Sequence, residues 1–103
     1  MSDAMQHDKA FVITARFTMN KIADDVVSDY RNYIKAHADE NKDNLIDFFV
    51  NQYAIRARDY LLGALSAISM FEVLDSQEID SIKKKLGAHI DQTAESIKKA
   101  LEV

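Results

Sequence analysis

The segment that most restricts the fold is residues 45–74, thirty consecutive residues without a proline. It carries only five charges, those of Asp47, Arg56, Arg58, Asp59 and Glu72. Loops and turns depend on proline and glycine, yet the whole chain of 103 residues has no proline and two glycines, at 63 and 87. A long apolar segment in such a chain favours a helix, and the composition predicts an all-α fold.

Apolar residues recur at spacings of three and four in three stretches, which indicates three amphipathic helices. We expect them at about residues 9–37, 44–74 and 77–102. A polar loop separates the first two, and a tight joint at Asp75 and Ser76 separates the last two. Asp75 with Glu78 three residues later fits a capping box at the start of the third helix. Short joints favour antiparallel neighbours, so we predict one domain, residues 1–103, folded as an antiparallel up-down-up bundle of three long helices and completed by dimerisation.

Residues 11–18 leave two interpretations open. They are rich in β-branched and aromatic residues and partly alternate apolar with polar, which is typical of a strand. A strand here would pair across a dimer, because no second strand is predicted in the chain. For that reason we favour the helix.

The central helix carries two apolar stripes. The broad one faces the neighbouring helices and comprises Ile46, Phe49, Val50, Tyr53, Ala57, Tyr60, Leu61, Ala64, Ala67, Ile68 and Phe71. The second, bordered by charged residues and mostly spaced by seven, comprises Phe48, Ile55, Leu62, Ser69 and Val73. A seven-residue apolar repeat bordered by charge is the pattern of a helix–helix seam.

The second stripe predicts a homodimer interface. Ile13 and Phe17 fall off the main stripe of the first helix and add to the interface prediction. Together these side chains would form a larger exposed apolar patch than monomers normally carry. The alternative is that the central helix buries most of its circumference inside one subunit.

The residues needed for catalysis or metal binding do not occur in recognisable arrangements. The chain has no cysteine, and its histidines are His7, His37 and His89. None has another histidine four residues away or a carboxylate three residues before it, so the pairs that build di-metal sites in bundles are missing. Neither a glycine-rich phosphate loop nor a Gly-x-Ser-x-Gly turn is present. We therefore expect a non-enzymatic protein with no catalytic residues, no metal and no cofactor.

Two polar groupings predict local contacts. Tyr30, Tyr33 and Tyr53 should cluster between helices one and two, and with Arg56 they could line a pocket; a small-molecule binding bundle is thus the alternative function. Arg58 should form a structural ion pair. Antiparallel pairing offers it three partners, Asp25, Asp91 and Glu95.

Charge and hydropathy restrict the partners and the location. Net charge is −4, and residues 39–75 carry seven acids against three bases, which argues against nucleic acid because phosphate contacts need basic residues. The longest uncharged run, residues 60–71, is too short to span a bilayer. Residues 1–10 are polar and do not resemble a secretory signal, so we expect a cytoplasmic protein. The expected partners are a second copy of the chain and an unidentified protein.

Overall fold

The computed structural model consists of three α-helices packed against one another: α1 (Ser2–Ala36), α2 (Lys42–Met70) and α3 (Ser76–Leu101). The structure describes residues 2–37, 42–70 and 74–102, except for the side chains of residues 2–8, 42, 43 and 69. Within these ranges all regular structure is helical, so the predicted all-α fold is confirmed.

Helix α1 begins earlier than predicted, at Ser2 rather than near residue 9. It includes residues 11–18, so this segment is helical and the alternative of a strand is wrong. Ala15 and Met19, four residues apart, are both fully buried on one helical face. With 35 residues, α1 is about 52 Å long at 1.5 Å per residue. It therefore accounts for nearly all of the 56 Å length of the molecule, which is only 21 Å by 16 Å across.

Helix α2 was predicted to continue to residue 74, but the described helix ends at Met70. Residues 71–73 lie outside the described part of the chain. Leu74 is buried and lies outside both helices, directly before the N-cap of α3.

The core runs along the axis of the bundle and takes one face from each helix. Tyr53 and Met19 are the largest side chains that are completely buried. The buried residues are Ala15, Met19, Ala23, Val26 and Tyr30 from α1, Ile46, Tyr53, Ala57, Leu61 and Leu65 from α2, Leu74, and Ile82, Leu86, Ile90, Ile97 and Leu101 from α3.

The buried face of α2 departs from the predicted stripe in its second half. Leu65 is buried, although the predicted stripe omits it, and Ala67 is exposed, although the stripe includes it. The buried positions advance in steps of four from Tyr53 through Ala57 and Leu61. Each such step turns the buried face by about 40° around the helix, which brings Leu65 inwards and moves Ala67 outwards.

The start of α3 has the predicted capping box. The backbone N–H of Glu78 donates to Asp75 Oδ1 at 2.8 Å, and the backbone N–H of Asp75 donates to Glu78 Oε1 at 3.5 Å. These two bonds satisfy N–H groups that a helix start leaves without intrahelical acceptors.

Contacts between the helices follow a consistent order. Along α2, residues of rising number meet residues of falling number in both neighbours. The contacts are Asp47 with Lys98 (3.9 Å), Phe49 with Tyr30 (ring centroids 5.7 Å apart), Arg56 with Asp29 (4.0 Å) and Arg58 with Asp91 (3.2 Å). The three ion pairs are exposed, so each contributes little to stability.

Candidate interaction surface

Six large apolar side chains of the described residues are exposed to solvent. Their exposed fractions range from 45% for Ile55 to 81% for Met70. The six are Ile13, Phe17, Phe48, Ile55, Leu62 and Met70. All except Met70 belong to the predicted homodimer interface. Of the other two predicted interface residues, the side chain of Ser69 and the whole of Val73 lie outside the described part of the structure.

The exposed stripe on α2 consists of Phe48, Ile55 and Leu62, each seven residues from the next. Ile55 lies two residues from both Tyr53 and Ala57, which are fully buried. Two residues correspond to a rotation of about 200°, so the stripe points away from the core of its own subunit. Helix α2 therefore does not bury its whole circumference within one chain.

Each end of this stripe borders a shallow groove. At the Phe48 end, a groove of about 270 Å³ is lined by Tyr33, Leu45, Phe48 and Phe49. There the rings of Phe48 and Phe49 meet edge to face at 5.4 Å. At the Leu62 end, a groove of about 190 Å³ is lined by Leu62, Leu65, Ser66, Ile79 and Lys83.

Polar side chains border the stripe on both sides. Asn51 and Arg58 lie on the side that faces α3, where Arg58 Nη2 is 3.2 Å from Asp91 Oδ1. Gln52 and Asp59 lie on the side that faces α1, as their helical positions require. The α2 surface thus has a narrow apolar centre between two polar borders.

Ile13 and Phe17 form a separate patch on α1. Phe17 lies two residues from both Ala15 and Met19, which are completely buried, so its ring is on the outer face of α1. The Lys21 ammonium lies 5.8 Å from the centre of that ring, within the range of a cation–π contact. Ile13, two residues before Ala15, is likewise on the outer face of α1.

The residues of the predicted ligand pocket differ in how far they are buried and in what they contact. Tyr53 is completely buried and Tyr30 nearly so. Tyr30 and Tyr33 both contact the ring of Phe49, with centroids 5.7 Å and 6.0 Å away. Arg56 is half-exposed, 4.0 Å from Asp29 Oδ2. Tyr30 and Tyr33 therefore pack between α1 and α2 and Tyr53 lies in the core, whereas Arg56 lies at the surface.

The hydroxyl of Tyr53 is a buried polar group of this region. No hydrogen bond of good geometry reaches it from the described residues. Burial raises the pKa of Tyr53, and an interaction with the Thr93 side chain offsets part of that rise. Since Thr93 does not meet hydrogen-bond geometry, we regard its influence as weak.

Of the three predicted partners of Arg58, the structure brings Asp91 within 3.2 Å. Asp25 and Glu95 are exposed. The pair is exposed on both sides, with 61% of the Arg58 side chain and 70% of the Asp91 side chain accessible, so it lies in a solvated surface.

The histidines are not gathered into a site. His37 stacks on Tyr33 at 4.2 Å, and the side chain of His7 lies outside the described part. His89 is half-buried, and burial together with the charge of Arg16 lowers its pKa. Among the described residues, no three metal-ligating side chains lie close enough to hold an ion. In the same ranges no helix has both the length and the apolar character needed to cross a membrane.

Sequence reasoning missed Met70 and the two grooves. Met70 lies between the two stripes of α2, so no periodic pattern identifies it. The grooves depend on Tyr33 and Ile79, which come from neighbouring helices. A pattern read along one helix carries no signal for them.

Comparisons with known proteins give no family for this chain: no protein-family model matches it, and no curated protein or solved structure does either. The function of this chain is therefore inferred from the geometry of its surface.

Proposed function

We propose that this protein is a non-enzymatic helical bundle that works through protein–protein contact, with a second copy of itself as the partner. The main observation in support of this proposal is the solvent-exposed stripe on α2, which consists of Phe48, Ile55 and Leu62. We further propose that the three helices run antiparallel, up-down-up. The reversed order of the contacts that α2 makes with both neighbours supports this arrangement.

The exposure of the stripe supports association. Removing apolar surface from water is favourable by roughly 25 cal/mol per Å². A seven-residue repeat between polar borders suits another helix, because successive residues of the repeat stay on one side of a rod. A second copy of α2 presents the same stripe, and a two-fold dimer uses one patch on both subunits.

The packing of the tyrosines favours the contact function over the small-molecule binder. A binding bundle needs a cavity between its helices. Tyr53 and Tyr30 are instead buried in the core, and Phe49 fills the space beside Tyr30 and Tyr33. The groove at Tyr33 opens towards the α2 stripe, since Phe48 forms one of its walls.

Sedimentation equilibrium at micromolar concentration tests the proposal. The unaltered chain should have the mass of a dimer, twice 11.7 kDa. Ile55→Glu should be a folded monomer, because two carboxylates would then be buried at the centre of the interface. Circular dichroism reports whether the helices remain intact.

Met70→Glu is the matched control. Met70 is on the same helix and more exposed than Ile55, but it lies outside the 48–62 stripe. This variant should remain a dimer. A monomeric unaltered chain at micromolar concentration would contradict the proposed function, and so would equal effects of the two substitutions.

A further inference from the structure

We propose that the two copies pair through α2 in an antiparallel orientation, with Ile55 at the two-fold axis and Phe48 opposite the partner's Leu62. This inference rests on the proposed homodimer and specifies its geometry. In such a dimer the numbers of two residues that face each other add up to about 110. Ile55 thus meets itself, and the two ends of the stripe meet each other.

The groove at the Phe48 end of the stripe is lined by residues whose spacing suits a hole for a side chain of a second helix. When helices pack as knobs into holes, a side chain enters the space between residues at i, i+3, i+4 and i+7 of its partner. Leu45, Phe48, Phe49 and Gln52 have this spacing. The first three line the observed groove, with Tyr33 of α1 behind them. In the antiparallel orientation the partner's Leu62 is the knob that reaches this hole.

The opposite end carries smaller side chains, on the border of α2 away from the groove at Leu65 and Ile79. The corresponding hole there is formed by Asp59, Leu62, Gly63 and Ser66, which includes two small residues. A Cβ atom built on Gly63 would have no neighbour within 4 Å, so packing inside the subunit does not require a glycine at this position. Glycine in a helix interior is destabilising relative to alanine. The space that Gly63 and Ser66 leave suits the ring of the partner's Phe48.

The polar borders are complementary in the same orientation. An antiparallel pair brings each border of α2 against the same border of its partner. Asn51 then lies beside the partner's Arg58, and Gln52 beside the partner's Asp59. An amide oxygen can accept from the guanidinium, and an amide N–H can donate to the carboxylate. The two copies of Arg58 are separated along the seam by about two helical turns, as are the two copies of Asp59.

A parallel pair fits the side-chain sizes less well. It would place Phe48 against Phe48 at one end and Leu62 against Leu62 at the other. The helix axes would then have to lie further apart at the Phe48 end than at the Leu62 end. In the antiparallel pair, Phe48 packs at each end against the partner's hole that contains the small residues Gly63 and Ser66. Leu62 packs against the partner's hole that contains Phe48 and Phe49. Both ends then have similar side-chain volume, so the two helix axes can stay at a constant distance.

The absence of cysteine from the chain makes orientation measurable by cross-linking. Three variants, Gln52→Cys, Arg58→Cys and Asp59→Cys, keep the apolar stripe intact. The variants are mixed in pairs, one member carrying a mass tag, and treated with a short bis-maleimide. Gln52→Cys with Asp59→Cys should cross-link across an antiparallel seam. Arg58→Cys with Asp59→Cys should cross-link across a parallel one.

Cross-linking of the first mixture and not of the second supports the antiparallel dimer. Cross-linking of the second mixture alone overturns it and leaves the homodimer standing with a parallel seam. Dimeric mass without a cross-link in either mixture overturns it too, because the contact would then be on another face. Monomeric mass contradicts the homodimer itself.

A second measurement tests the hole at Gly63. Gly63→Leu should weaken dimerisation about tenfold or more, because the added side chain occupies the space meant for the partner's Phe48. Gly87→Leu on α3 is the control, since a Cβ there also meets nothing within 4 Å and the position is away from the α2 stripe. Unchanged dimerisation in Gly63→Leu overturns the proposed fit.

Discussion

At the scale of single residues, the buried hydroxyl of Tyr53 is a polar group whose removal should cost little. Its oxygen is inaccessible and lacks a well-formed hydrogen bond from the described residues. A buried polar group without a partner costs about 1–3 kcal/mol, so Tyr53→Phe should leave the free energy of unfolding unchanged or raise it by about 1 kcal/mol. Urea denaturation of the two proteins measures the difference.

Tyr53→Ala gives the contrast for this experiment. It removes a ring that is completely buried in the core and should lower the free energy of unfolding by about 3–5 kcal/mol. A loss above about 1 kcal/mol in Tyr53→Phe would show instead that Thr93 forms a real hydrogen bond with the hydroxyl.

His89 makes stability depend on pH in a known direction. Burial, and then the charge of Arg16, lowers the pKa of His89 below its usual value of 6.5. The unfolded chain therefore binds a proton at a higher pH than the folded chain does. The stability linked to His89 is complete above pH 6.5 and is lost as the pH falls through the lower, folded-state pKa.

Titration by NMR measures the pKa of His89 directly. The imidazole signal of His89 is the one that is absent from the spectrum of His89→Gln. Arg16→Gln should move the pKa of His89 part of the way back towards 6.5, since it removes one of the two causes. The His89→Gln protein should also lose less stability than the unaltered chain between neutral and acidic pH. A pKa of His89 at or above 6.5 would contradict the described burial.

At the scale of the helices, the capping box fixes where α3 begins. Asp75→Ala removes the acceptor for the Glu78 N–H and should cost about 1 kcal/mol of unfolding free energy. Asp75→Ser retains a capping oxygen and should lose much less. Urea denaturation of both variants separates the cap from the general effect of removing a charge. Equal losses in the two variants would mean that the cap does not stabilise the helix start.

What the sequence predicted at this scale was local. The capping box could be found because Asp75 and Glu78 are three residues apart, and the outward stripe because its seven-residue repeat is visible in one helix. The burial of Leu65 instead of Ala67 could not be predicted from the sequence, because the rotation of α2 relative to its neighbours depends on tertiary packing. The extension of α1 to Ser2 had only a short signal, since Met1, Ala4 and Met5 have helical spacing but the other residues of 1–8 are polar.

For the candidate interaction surface, too, the sequence predicted the features that lie within one helix and not those that depend on two. Exposure of Phe48, Ile55 and Leu62 followed from counting the faces that two neighbouring helices can cover. Asp91 was one of three acidic residues at the level of Arg58, and only the side-chain positions distinguish it from the others. The grooves at the ends of the stripe require residues from two helices, so they appear only once the helices are packed.

At the scale of the whole molecule, association through α2 should couple stability to concentration. The bundle is a rod 56 Å long, and the proposed seam lies along its side. A partner that binds only the folded chain stabilises it by mass action. Well above the dissociation constant, each tenfold rise in protein concentration should therefore add about 1.4 kcal/mol to the free energy of unfolding per mole of dimer.

Urea denaturation at several protein concentrations measures this coupling. The midpoint of the unaltered chain should rise with concentration, and the midpoint of Ile55→Glu should stay constant, because that variant has no dimer to dissociate. Met70→Glu should behave as the unaltered chain does, since its substitution lies beyond the 48–62 stripe. A midpoint independent of concentration in all three proteins would mean that the exposed stripe of α2 contributes nothing to the stability of the folded state.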